Sequence, residues 1–231
     1  MMKYLIVNGD DFGASRGINR GIIEAHRRGI LTSASLIVNA PRSEAAALLS
    51  RAVPDLSVGL HAHMNEGRAL AAGSATDTSY RTELRRQLAR FQELMGRLPT
   101  HLDSHHNLHH DPRLLAHFLD LARHYGLPLR EHSPVHYFSK FYGQWSGATH
   151  LEQIGVESLV RMLETEVQEG ITELSCHPGY VDPDFPSGYS AERETELRTL
   201  CDPVIRQALT AQSIQLVSFR DLGDLLVDLP A

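Results

Sequence analysis

Asp10, Asp11, His61, Asp103, His105, Arg130 and His177 are the side chains in this sequence whose types could do chemistry together. Histidine is the unusual residue: 14 occur in 231 positions, and five of them lie between positions 101 and 110. Two imidazoles and one carboxylate form a facial set that leaves coordination positions open for water and substrate. Open positions mark a catalytic metal, whereas a closed set of four marks a structural one. His61, His105 and a carboxylate of the Asp10-Asp11 pair are therefore candidate ligands of one divalent ion, magnesium or zinc. A second carboxylate beside such an ion can take a proton from water, which is the role expected of Asp10. His177 is expected to give a proton to a leaving group. Asp103 is expected to hold a ligand or to touch substrate, and Arg130 to orient Asp10 or hold a substrate oxygen.

These residues can meet only if the elements between them bring them together. Short apolar runs at 4–7, 35–38, 56–60, 100–102, 127–129, 171–176 and 213–217 alternate with helical patterns. The helical patterns cover 15–28, 44–51, 80–96, 112–125, 159–169 and 191–212, with a short closing helix near 222. In the 80–96 segment Leu84, Leu88, Phe91 and Met95 recur at spacings of three to four. Near-continuous apolar strands suit a parallel sheet buried on both faces. About seven βα units predict an α/β fold, a distorted, TIM-like (β/α) barrel of about seven parallel strands in a single domain over 1–231. Every candidate residue then lies at the C-terminal end of a strand, and those ends form one mouth. Two long loops stand out, a small polar one at 67–79 and an aromatic one at 132–150.

Composition narrows the partners. The net charge of −6 comes from interspersed acids and bases, so no basic face for nucleic acid is expected. The first apolar stretch ends at Val7, too short for a signal sequence, and no run approaches a membrane span. Two cysteines, Cys176 and Cys201, make no disulfide framework and suit a reducing, cytoplasmic setting.

Six stretches carry a family resemblance. They are Leu5-Ile-Val-Asn-Gly-Asp-Asp-Phe-Gly13, Gly59-Leu60-His61, Thr100-His-Leu-Asp-Ser-His105, Leu129-Arg130, Cys176-His-Pro-Gly179 and Ser218-Phe-Arg-Asp-Leu222. Together, and in this order, they resemble the YdjC-like carbohydrate deacetylases, which include chito-oligosaccharide and hopanoid-biosynthesis-associated members. The resemblance implies one divalent metal held by Asp11, His61 and His105, with Asp10 as general base and an N-acetylated sugar as substrate. NodB-type deacetylases take both histidines from one short motif, whereas here they come from two strands. The 67–79 loop is short for the YdjC-like group, which bears on the substrate more than on the chemistry.

Tyr142 and Trp145, in the aromatic stretch 136–145, could offer flat faces to sugar rings. The same stretch could instead form a hydrophobic lid or a subunit contact, which leaves a homo-oligomer open. Alternatives for the whole chain are another mononuclear metallohydrolase (an amidohydrolase or a phosphoesterase) and a catalytically silent sugar- or metal-binding protein. No phosphate-gripping basic cluster favours the phosphoesterase. Binding alone would need neither Asp10 nor His177.

Overall fold

A computed structural model describes residues 2–64 and 77–228. Its centre is a curled seven-stranded parallel sheet, closed on its convex side by helices, a half-barrel of the kind expected. The strands of the main path are β1 (Lys3–Phe12), β2 (Ser33–Leu36), β3 (Ser57–Ala62), β4 (Leu102–Ser104), β5 (His136–Phe138) and β8 (Gly170–Cys176). Their spatial order is β4-β3-β2-β1-β8-β5. The seventh strand, β9 (Ile214–Leu216), pairs with the first residues of β1, below the point where β2 joins the same edge.

Side chains alternate across each strand, and here the two faces differ in kind. On β1, Leu5 and Val7 belong to the main hydrophobic core, whereas Ile6 lies in a small apolar cluster with Val135, Ile171, Val217, Phe219 and Leu222. Above Ile6 on the same face follow Asn8 and Asp10. On β8, Ile171 is followed in the same way by Glu173 and Ser175. The hollow of the curl is therefore apolar at its base and polar toward its mouth. Continuous apolar strands were expected; the inner face is in fact a ladder of serines, histidines and acids.

The helices are α1 (Arg16–Arg28), α2 (Ser43–Arg51), α3 (Asp77–Met95), α4 (Pro112–Tyr125), α5 (Val156–Glu166), α6 (Ala191–Leu200), α7 (Pro203–Ala211) and α8 (Leu222–Asp228). Ser15 caps α1 by accepting the Ile18 N–H at 3.1 Å, and Ile18, Ile22 and Ile23 turn inward. α4 starts on the Asp111 cap with Pro112 in its first turn, and ends at Gly126 in a left-handed conformation.

Three expectations need correction. The helix over 191–212 is two helices, because Pro203 lacks the N–H that would continue the first, and Asp202 caps the second through Val204 N–H. The strand over 127–129 is reduced to a single bridge between Leu129 and Leu102. The aromatic loop contains β5 and a hairpin, β6 (Gln144–Trp145) with β7 (Ala148–Thr149), turned by Ser146 and Gly147 at positive φ. Of the 67–79 loop, positions 67–76 lie outside the described residues. Among the described residues no helix is long and apolar enough to cross a membrane, and both cysteines are free.

Candidate active site and metal centre

β1 does not end as a regular strand. Its register with β2 slips between Gly9 and Phe12, and Asp11 takes a left-handed backbone with φ 68°. Regular alternation would send Asp10 and Asp11 to opposite faces. The bulge turns both into one cavity. Gly13 follows at φ +96°, where an added Cβ would also press on the Ile37 carbonyl at 3.0 Å.

His61 from β3 and His105, just past β4, close on Asp11. Asp11 Oδ1 lies 3.6 Å from His61 Nε2 and 3.0 Å from His105 Nδ1. One donor atom from each of the three residues falls within 4.8 Å of the others. Asp11 Oδ1 is buried and accepts no well-formed hydrogen bond. An orphaned buried carboxylate oxygen is costly. A cation between it and the two imidazoles would satisfy all three groups, so these residues fit a divalent metal.

Two of these three candidate ligands are held from behind. Asp103 Oδ1 lies 2.8 Å from His61 Nδ1, which leaves Nε2 to face Asp11. Arg193 donates to Asp11 Oδ2 at 2.6 Å. Burial alone would lower the His61 pKa, but Asp103, Asp10 and Asp11 push it up to about 9. Burial would likewise raise Asp11, yet His105 and Arg193 hold it well below the usual carboxylate range. Gly59 makes room for this arrangement: a Cβ there would sit 2.4 Å from the His101 ring. That ring stacks on Phe219 at 3.8 Å and reaches Ser35 Oγ, which donates to Asp103 Oδ2 at 2.6 Å. Three of the six sequence stretches singled out above, with Ser35 of β2, are thus one packed unit behind His61.

Arg130 forms the floor. Its guanidinium is buried and donates to both oxygens of Asp10, at 2.8 and 2.9 Å. It also donates to Glu173 Oε1 at 2.7 and 3.0 Å, and lies 2.9 Å from Asp103 Oδ2. Burial would raise the Asp10 pKa, but Arg130 outweighs it and keeps the carboxyl ionised. Glu173 is less favoured: burial pushes it up to about 7 against the pull of the same arginine.

His177, one residue past β8, stands on the other side of the cavity. Its backbone N–H donates to Glu196 Oε2, and its carbonyl accepts from Arg193 at 3.3 Å. The ring meets Tyr142 and Tyr189 edge-on at 5.8 and 5.7 Å, and those two tyrosines stack on each other at 4.8 Å. Its Nδ1 is buried without a hydrogen-bond partner. Burial lowers the His177 pKa to about 4, against the pull of Asp10 and Asp11.

The hollow encloses about 860 Å³. Asp10, Asp11, His61, His105, His177 and Tyr142 all line it, with His63 and His106 at its rim. Asp103 and Arg130 lie beneath it, against His61 and Asp10. Trp145 is not part of the lining: its indole lies flat on His150 at 3.6 Å and 5°. Sequence reasoning gave no role to Arg193, Glu196 or Glu173, while Tyr189, which lines the cavity, ends the aromatic stretch 180–189 that the sequence offered as a second rim. A signal existed for Arg193 and Glu196, since Glu192, Arg193 and Glu196 share one face of α6, where an ordinary amphipathic helix would turn apolar residues inward.

The YdjC-like protein family model matches residues 4–211. The chain belongs to the YdjC-like family. It is 34% identical to a carbohydrate deacetylase of Geobacillus stearothermophilus, over 96% of this chain and 98% of that protein. It is 33% identical to a chitooligosaccharide deacetylase of Serratia marcescens, over 96% of this chain and all of the relative. Among solved structures, a protein of Enterococcus faecalis described as a cellobiose-phosphate cleavage protein superposes with TM-score 0.81 at 26% identity, covering 96% of this chain and 99% of its own. A family 4 acetyl xylan esterase from Clostridium thermocellum, crystallised with a cobalt ion, superposes with TM-score 0.59 at 15% identity over 99% and 93%. That second likeness extends to the fold alone. In this YdjC-like chain the family resemblance runs through the strand ends that build the mouth.

Proposed function

We propose that this YdjC-like chain is a metal-dependent carbohydrate N-deacetylase that hydrolyses the acetamide of an amino sugar or a short N-acetylated oligosaccharide. The observation that carries the reading is the pairing of two carboxylates with different surroundings. Asp11 faces two imidazoles with an orphaned oxygen, while Asp10 is clamped by Arg130 and opens onto the same cavity. Relatives named for carbohydrate deacetylation support the substrate class.

Asp11, His61 and His105 would hold the ion. Once bound, a divalent metal, zinc or magnesium, supplies a Lewis acid that polarises a carbonyl and stabilises developing oxyanion charge. Asp10 accepts the proton of the attacking water at Oδ2: Oδ1 already accepts from both Asn8 and Arg130, whereas Oδ2 accepts from Arg130 and retains a lone pair. Arg130 keeps that carboxylate from rotating. His177, across the cavity, is placed to pass a proton to the departing nitrogen, because an amine leaves poorly until protonated. With its pKa lowered to about 4 the imidazole is neutral at rest, so the proton it passes is one relayed from the attacking water. Tyr142 and Tyr189 offer aromatic surface beside it for a sugar ring.

The test is acetate and free amine released together from an N-acetylated chito-oligosaccharide. Asp10→Asn should cut that release by ~10²–10⁴-fold, the worth of a positioned proton acceptor, while metal content stays at wild type. Full release by Asp10→Asn, or no release by wild type across a panel of N-acetylated sugars, would overturn the reading.

A further inference from the structure

We propose that His109, His110 and Glu131 form a second divalent-metal site, separate from the cavity, for a zinc-type ion that ties two active-site segments together. The inference is independent of the deacetylase reading. It starts from the run His105-His-Asn-Leu-His-His110, whose last two histidines the active site leaves unused.

After His105 the chain makes two consecutive left-handed residues, His106 at φ 52° and Asn107 at φ 51°. The turn carries His109 and His110 back beneath β4. His109 is fully buried, and its ring is fixed by Ser104, whose Oγ lies 2.6 Å from Nδ1 and accepts the His109 backbone N–H at 3.0 Å. Nε2 is left facing Glu131, 3.4 Å from its Oε2. His110 Nε2 crowds that same oxygen. Two imidazole nitrogens and one carboxylate oxygen, all within 4.8 Å of one another, therefore converge on one point. Glu131 reaches it from a left-handed backbone, φ 61°. A ligand histidine whose other nitrogen is fixed by a hydrogen bond is the usual metal-binding arrangement. Two nitrogen donors favour zinc over magnesium, which prefers an all-oxygen shell. His110 and Glu131 are partly exposed, so water can complete the coordination and the ion has a route in.

The placement gives the ion a consequence. Its ligands lie four and five residues beyond His105 and one residue beyond Arg130, so it would fasten the segment behind a metal ligand to the segment that clamps Asp10. A single proton shared between His110 and Glu131 is the competing account.

Chelated protein titrated with Zn²⁺ separates the two. Wild type should bind about two equivalents, and His61→Ala and His110→Ala about one each. The His61→Ala/His110→Ala pair should bind none tightly. In the His61→Ala background, Zn²⁺ should raise Tm, and adding His110→Ala should abolish that rise. Glu131→Gln, which keeps the shape of the turn, should act like His110→Ala. If His110→Ala and Glu131→Gln retain the full wild-type stoichiometry, or if His61→Ala binds no zinc, the second site does not exist. Loss of zinc from His61→Ala with one equivalent kept in His110→Ala would leave the active-site reading standing while removing this one.

Discussion

The floor and the rim of the cavity are built by opposite means. The floor consists of Asp10, Asp103, Arg130, Glu173 and His61, all buried, all on strands or one residue beyond a sheet bridge, and joined by hydrogen bonds of 2.7–3.0 Å. The rim consists of half-exposed side chains such as His63, His106 and Tyr142, on loops that pack mainly through ring contacts. Burying ionised groups costs several kcal/mol each unless they are paired, so a floor of this kind holds its geometry or does not form. The rim carries no such constraint. The reaction should therefore be decided by the floor, and the choice of sugar by the rim.

The largest effects should come from the ligands. His61→Ala and His105→Ala should each lose the active-site metal and reduce deacetylation to near background, since Lewis-acid stabilisation is worth several kcal/mol; metal analysis and acetate release check both. Normal activity in either would dissolve the distinction between floor and rim. Next comes His177→Ala, expected to slow amide hydrolysis ~10²–10⁴-fold but to spare an ester analogue, whose leaving group needs little protonation. Equal losses on amide and ester would make His177 structural.

A smaller effect is expected one layer further back. Asp103→Asn removes the carboxylate that orients His61 and should weaken metal affinity ~10–100-fold, with the fold retained. At the rim, Tyr142→Ala should raise KM with little change in kcat, and Trp145→Ala, whose indole is taken up by His150, should change neither. A Trp145 effect larger than that of Tyr142 would reverse the ranking.

The smallest effect concerns stability. Burial pushes the Glu196 carboxyl up from 4.5 to about 8. The folded state thus holds that proton more tightly than the unfolded chain, and its contribution to stability is full below pH 4.5 and lost as pH rises through about 8. The Tm of wild type relative to Glu196→Gln should therefore fall across that window. A difference that stays flat would mean that Glu196 does not titrate there.

The same contrast explains what could be read from the sequence. Strand ends were visible because apolar runs stop there, so Asp11, His61, His105 and His177 could be placed at one mouth before their contacts were known. The bulge at Asp11 was hidden, since nothing in a one-dimensional pattern says that adjacent acids will share a face. Arg193 was hidden for another reason: it lies 182 residues from the carboxylate it holds and looks like any charge on a helix. Trp145 was read together with Tyr142, but its stacking on His150 outside the cavity lining could not be seen, because an aromatic in a loop does not show its neighbours in the sequence. The extra strand β5 was hidden in a three-residue stretch too short to show a period.

One measurement reaches the centre of this account: acetate release from an N-acetylated chito-oligosaccharide before chelation, after it, and after return of Zn²⁺ or Mg²⁺, run in parallel on wild type and Asp11→Asn. Wild type should lose activity on chelation and regain it with metal, and Asp11→Asn should regain little at the same metal concentration. Chelated wild type that still releases acetate at the original rate, or an Asp11→Asn enzyme that recovers fully, would contradict it.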